Sequence, residues 1–146
     1  MWPVFNILEG KEVTDVTKEI LAPKTVYKPD TPYSLGVKVD AGKLLFIAGQ
    51  TPCDVNGNTV GIGDATAQTT QALENLKIVL KEGGATLDDV TLLKVYMTRH
   101  EDIPQVVEVR REYFPKDYPA VTLCVISSLA RKEWLIEIEA IAVVSQ

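Results

Sequence analysis

The alternation of apolar and polar positions along the chain divides it into short β-type runs and two helical ones. Leu35 to Val39 and Lys43 to Ala48 are β-rich, and Asp40-Ala41-Gly42 between them predicts a hairpin turn. Gly49 ends the second run, and Gln50-Thr51-Pro52 and an Asn56-Gly57 turn signal follow. Asp64 opens a helix in which Leu73, Leu76, Val79 and Leu80 repeat at helical spacing, with Ala65, Ala72 and Ile78 beside them. Gly83-Gly84 stops it. Asp88-Asp89 leads into a strand from Val90 to Thr98. Asp102, with Pro104 in the first turn and Gln105 three residues on, predicts the start of a second helix. That helix carries Val106, Val107, Val109 and Tyr113 and ends by Pro115. Strands from about Ala120 to Ser127 and Trp134 to Val144 close the chain.

The order is β-β-α-β-α-β-β. A strand-helix-strand crossover makes part of the sheet parallel and the hairpins add antiparallel pairs, so the expected fold class is α+β, a mixed sheet with two helices on one face. All 146 residues are read as one domain, with residues 1–24 as an N-terminal extension in which Val4, Phe5, Ile7 and Leu8 form a short strand or a clasp.

A sheet with helices on one face and water on the other alternates apolar and polar side chains. Val121 to Ile126 is apolar at nearly every position, Ile136 to Val144 is apolar except for Glu137 and Glu139, and Leu92 to Met97 is broken by Lys94 alone. Both faces therefore call for cover, and two helices cover one. Another subunit is the simplest source of the rest, and the N-terminal extension is the alternative.

Composition narrows the classes of partner. The net charge of -5 and sequence pI of about 4.9 repel a phosphate backbone, so no nucleic acid is expected. No apolar run approaches a membrane span, and Met1 to Gly10 lacks the pattern of a signal peptide. Cys53 and Cys124 form neither a CxxC pair nor a disulfide framework. The expected setting is the cytoplasm, with no membrane partner.

His100 is the one histidine, which leaves no zinc site to build, and no cofactor or metal is expected. Gly57 to Gly63 lacks the Lys-Ser/Thr pair of a phosphate loop and reads as a surface loop. Cys124, Ser127 and Ser128 have no base suggested by sequence and read as packing or turn residues. Glu137 and Glu139 stand out because they point to one face of an otherwise apolar strand. Two readings stand: rim carboxylates in water, or carboxylates that orient a water and move a proton.

Pro32-Tyr33, Ala48-Gly49-Gln50, Asp64 through Gln68-Thr69, Ala72-Leu73-Glu74-Asn75-Leu76, Gly84 with Asp89-Val90, Tyr118-Pro119-Ala120 and Ile136 through Ala142 occur in an order and spacing that resembles the YjgF/Rid (reactive intermediate deaminase) family, from about Pro32 to Val144. The resemblance implies a chorismate-mutase-like fold and a homotrimer with a central barrel and three clefts between subunits. It also implies hydrolysis of enamine/imine metabolites to a 2-keto acid and ammonia. Carried over by position, Glu137 orients the attacking water with Glu139 as the fallback, and Tyr33 and Gly49 line the cleft. The arginine that pairs with the substrate carboxylate in such proteins is replaced here by Val121, after Pro119-Ala120. Loss of such a partner typically costs on the order of 2–5 kcal/mol. Arg131 and Arg99 are the candidates for a substitute cation, and Trp2 in the extension is a candidate for reshaping the cleft.

Three functions follow from these residues. The first is a deaminase of imine-like or enamine-like metabolites, with an atypical substrate. The second is a non-catalytic trimer that binds a small molecule or a partner protein. The third is a ribonuclease, against which the acidic charge and the single histidine argue.

Overall fold

A computed structural model describes residues 17–28, 30–40 and 42–145 of the chain. The candidate strand at Val4 to Leu8 and Trp2 lie outside these residues. Six strands and two helices follow in the order β1 (Lys18–Leu21), β2 (Gly36–Val39), β3 (Lys43–Gln50), α1 (Ala65–Glu82), β4 (Val90–Met97), α2 (Ile103–Tyr113), β5 (Ala120–Val125) and β6 (Ile136–Val144).

Local chemistry sets the ends of α1. Asp64 has extended backbone and its carboxylate accepts from the Ala67 N–H at 3.0 Å, satisfying one of the free donors of the first turn. Gly83 caps the other end and Gly84 takes φ 73°, where a side chain would be strained. Between them Ala65, Gln68, Thr69, Ala72, Leu73, Leu76 and Leu80 are buried, one stripe at helical spacing. Val79, which the periodicity placed in that stripe, and Ile78, placed beside it, are exposed instead.

The start of α2 departs from expectation. Asp102 precedes the helix but makes no capping bond; its carboxylate is held by Arg99 Nε at 2.6 Å, and a short 3₁₀ turn over His100–Asp102 leads in.

The main sheet has the order β3-β6-β4-β5, antiparallel except for the parallel β4–β5 pair made by the α2 crossover. One face carries Ile47, Leu93, Val95, Met97, Ile136, Ile138, Ala140 and Ala142 into a core shared with Leu73, Leu76 and Leu80 of α1 and Val106 and Val109 of α2. The fold class is therefore the expected α+β one, a mixed sheet with both helices packed into the core of one face.

The expected hairpin is not formed. β2 pairs antiparallel with β1, and β3 pairs with β6. Part of the presumed extension thus contributes a strand, because Lys18 to Leu21 supplies the partner that β2 needs for its backbone groups.

The opposite face of the main sheet is uncovered in the single chain. Leu44 and Phe46 on β3 are 61% and 70% exposed, and Thr122 and Cys124 on β5 are exposed as well. The runs that read as buried on both faces are buried by this chain chiefly on one, with Val143, 2% exposed, the exception on the other.

Candidate functional site

The reactive-looking carboxylates lie on this uncovered face. In β6, Glu137 stands opposite Tyr96 and Glu139 opposite Lys94 of β4. The two glutamates differ in their surroundings. Glu139 is engaged: Lys94 Nζ contacts it at 2.6 Å and the Tyr96 hydroxyl donates to it at 3.4 Å. The ion pair keeps the Lys94 ammonium above its ordinary pKa, through the hydrogen bond and then the charge of Glu139. Glu137 is half-buried and makes no hydrogen bond or ion pair among the described residues. A carboxylate with free lone pairs at a partly dry strand surface can take a proton from a water and return it.

Gly49 makes room for that carboxylate. A Cβ on Gly49 would stand 1.9 Å from Glu137 Oε1 and 2.7 Å from its carboxyl carbon. The β3–β6 register slips here: Ile47 faces Ala140 while Gln50 faces Ile138, so β3 spends one extra residue at Ala48-Gly49. Such a bulge re-aims side chains locally.

A second group of residues meets elsewhere. Tyr33, Val121 and Leu123 line a cavity of about 270 Å³ together with Thr31, Ile103, Val107 and Arg110. The segment before β2 is fixed there by the Ser34 N–H on the Pro119 carbonyl at 2.9 Å, a parallel bridge between Ser34 and Ala120, and the Ser34 hydroxyl on the Tyr118 carbonyl. The Lys28 ammonium sits 5.0 Å from the centre of the Tyr33 ring.

Val121 pairs with Leu93, on the helix-covered face, so it does not share a face with Glu137. The two rows are also two strands and about three residues apart, which is roughly 14 Å at ordinary strand spacing and rise. Within one chain the structure therefore brings together Gly49 with Glu137, and Tyr33 with Val121, as two separate groups.

The two arginines suggested as substitute cations stand apart from both. Arg131 donates to the Gly57 carbonyl at 2.8 Å and stacks over Trp134 at 5.1 Å. Arg99 is occupied by Asp102 and the Gly63 carbonyl. The cation that does line the Val121 cavity is Arg110, which the sequence reading passed over. It is 4% exposed, its Nη2 donates to the Pro32 carbonyl at 2.9 Å, and its Nε is buried without a partner. Burial pushes its guanidinium down to about 10. Its sequence signal was its place at i+4 from Val106 and next to Val109, on the buried stripe of α2.

Among the described residues no group of three or more His, Cys, Asp or Glu could hold a metal ion, and no helix is long and apolar enough to cross a membrane.

Comparison with known proteins agrees with this architecture. Residues 23–144 match the family described as endoribonuclease L-PSP. A RutC family protein of Pyrococcus horikoshii is 42% identical over 86% of this chain and 97% of its own. The 3-aminoacrylate deaminase RutC of Acinetobacter baylyi is 37% identical over 86% of this chain and 97% of its own. A crystal structure of a conserved Rid family protein from Yersinia pestis superimposes with a TM-score of 0.80 at 36% identity, over 87% of this chain and 98% of that one. By its family match, its relatives and its fold, the chain belongs to the YjgF/Rid family.

Proposed function

We propose that the protein hydrolyses reactive imine or enamine metabolites to a keto compound and ammonia. The observation that carries this is the unpaired Glu137 carboxylate facing a residue without a side chain. Glu137 takes a proton from a water as its oxygen bonds to the imine carbon, and returns that proton to the nitrogen. The resulting carbinolamine passes its hydroxyl proton, again by way of Glu137, to the amine; the C–N bond breaks, ammonia leaves and the carbonyl forms. An enamine first tautomerises to the imine, its carbon taking a proton from water as its nitrogen gives one up. A 3-aminoacrylate deaminase among the relatives supports C–N hydrolysis as the reaction class. The net charge of -5 favours a small metabolite over RNA.

The active cleft is completed by a second copy of the chain, in a homotrimer as the family resemblance implies. Glu137 and Gly49 of one subunit face Tyr33 and Val121 of the next. The exposed Leu44 and Phe46, and the edge of β5 beyond its bridge from Ser34 to Ala120, support such an assembly. A second reading, a binding protein without turnover, is favoured by Val121, which leaves the cavity wall mostly apolar.

The test is ammonia release from 2-iminopropanoate, 2-iminobutanoate and 3-aminoacrylate, all generated in situ. Turnover by the wild type that falls by a factor on the order of 10²–10⁴ in Glu137→Gln and far less in Glu139→Gln is the expected result. No acceleration of any of the three over buffer would sink the deaminase reading and leave the binding one.

A further inference from the structure

The cavity beside Val121 contains a buried cation without a counter-charge. Arg110 reaches it from α2, and the rest of its wall is largely apolar: Ile103, Val107, Val121 and Leu123, with the Tyr33 ring at one side. A guanidinium carries five N–H donors. Among the described residues the Pro32 carbonyl takes one bond, no carboxylate pairs with the group, and Nε is left unsatisfied although fully enclosed. Charged groups are buried in proteins when they are paired, and an apolar wall strengthens the pull on any anion that enters. The cavity volume of about 270 Å³ fits an acid of a few carbon atoms.

We propose that Arg110 is the carboxylate anchor of this protein. It replaces, from α2, the β5 arginine whose position Val121 occupies. The ligand's carboxylate takes the Arg110 guanidinium in a charge-assisted pair, and Val121 opens the space through which α2 supplies it. The ligand class, a small 2-oxo or 2-imino acid, rests on the deaminase reading; the anion site does not. The depressed guanidinium pKa has the same cause as the proposal, burial without a counter-charge.

The test uses full-length protein labelled with ¹⁵N-arginine. The Arg110 Nε–H resonance is identified by its absence from Arg110→Lys. Pyruvate, the keto acid of the simplest imine, and its neutral amide are then titrated. Pyruvate is expected to shift the Arg110 resonance and to bind at least tenfold tighter than the amide. Arg110→Met, of similar length and no charge, is expected to lose at least tenfold in pyruvate affinity, and Arg110→Met/Val121→Arg to regain most of it. Pyruvate that fails to bind, that binds with the Arg110 resonance unmoved, or that binds Arg110→Met as tightly as wild type overturns the proposal. Should Arg110→Met not fold, the wild-type titration decides alone. A protein that binds pyruvate on Arg110 and releases no ammonia from any imine keeps the anchor and loses the deaminase reading. One that hydrolyses imines with Arg110 unmoved does the reverse.

Discussion

Gly49 and Glu137 occupy the same space in turn: a single added methyl on the glycine would stand 1.9 Å from the glutamate's Oε1. Real Cβ contacts do not come that close, so Gly49→Ala must swing the carboxylate aside or reopen the β3–β6 bulge. Neither Gly49 φ nor a turn requires glycine here; the carboxylate does. Gly49→Ala is expected to lower kcat for imine hydrolysis at least tenfold, with KM moved much less, because a small misplacement of a proton-transfer group costs rate directly. Melting and kinetics on the same sample check this. A Gly49→Ala enzyme with wild-type kcat would show that Glu137 needs no fixed position.

Much of this fold was legible because its signals are local. Asp64 caps α1 as its position before the apolar stripe predicts, and Gly83-Gly84 ends it. The pairing of β2 was not legible. Its turn signal at Asp40-Ala41-Gly42 pointed to β3, but β3 is drawn to β6 through Leu45, Ile47, Ala140 and Ala142, and β2 takes β1 instead. Which strand wins a partner depends on burial at distant positions, which a turn motif does not encode. Arg110 was hidden for a related reason. It follows Glu108 and precedes Arg111 and Glu112, a charged context that reads as solvated, and only contact with Pro32 and β5 encloses it. Glu137 and Glu139 were found by pattern, but only side-chain geometry separates the free one from the one tied to Lys94.

Phe46 and Leu44 expose most of their side chains on the uncovered sheet face. Such area is normally covered by a partner. Phe46→Glu places a charge where the proposed trimer interface needs apolar contact, and is expected to give monomers in light scattering at micromolar concentration. The helix-side core does not touch Phe46, so far-UV circular dichroism should keep its wild-type shape. A Phe46→Glu trimer as stable as wild type would place the interface elsewhere.

Gln68 ties α1 to the approach of β6. It is fully buried; its amide donates to the Gly61 carbonyl at 3.2 Å and the Glu133 carbonyl at 2.9 Å, and its oxygen accepts from the Leu135 N–H at 2.8 Å. Gln68→Leu keeps the volume and strands the Glu133 carbonyl and the Leu135 N–H, while the Gly61 carbonyl keeps its bond from the Asp64 N–H at 2.9 Å. Each unsatisfied buried group costs about 1–3 kcal/mol and the costs are not additive, so a loss of about 3 kcal/mol is expected. For a chain of this size that lowers Tm by roughly 6–12 °C. Because Leu135 leads into the strand of Glu137, imine turnover should fall too; a melting point within 2 °C of wild type (about 0.5–1 kcal/mol) would deny Gln68 this role.

The Tyr113 hydroxyl donates to Glu74 at 2.6 Å, linking α2 to α1. Burial, and then the bond to Glu74, push the phenol up to about 12. Glu74 is held below its ordinary value, first by Tyr113 and then by Lys77. The two shifts act at opposite ends of the pH scale. A phenol whose pKa is raised on folding contributes stability that is fully present below its unfolded value of about 10 and is lost as pH rises towards 12. A carboxylate whose pKa is lowered contributes stability above its unfolded value that is lost as pH falls below it. Arg110 has the reverse alkaline sign, since its pKa falls on folding to about 10 and the protein gains stability as that proton is lost. Only the difference between wild type and Tyr113→Phe isolates the tyrosine. Glu74 is exposed to water and Tyr113 is only partly buried, so that difference should be on the order of 1 kcal/mol at pH 7 to 9. Urea unfolding should show it shrinking between pH 10 and 12, and again below about pH 4.5 as Glu74 protonates. A difference that stays constant across both ends would mean the hydroxyl acts through packing and not through its bond to Glu74.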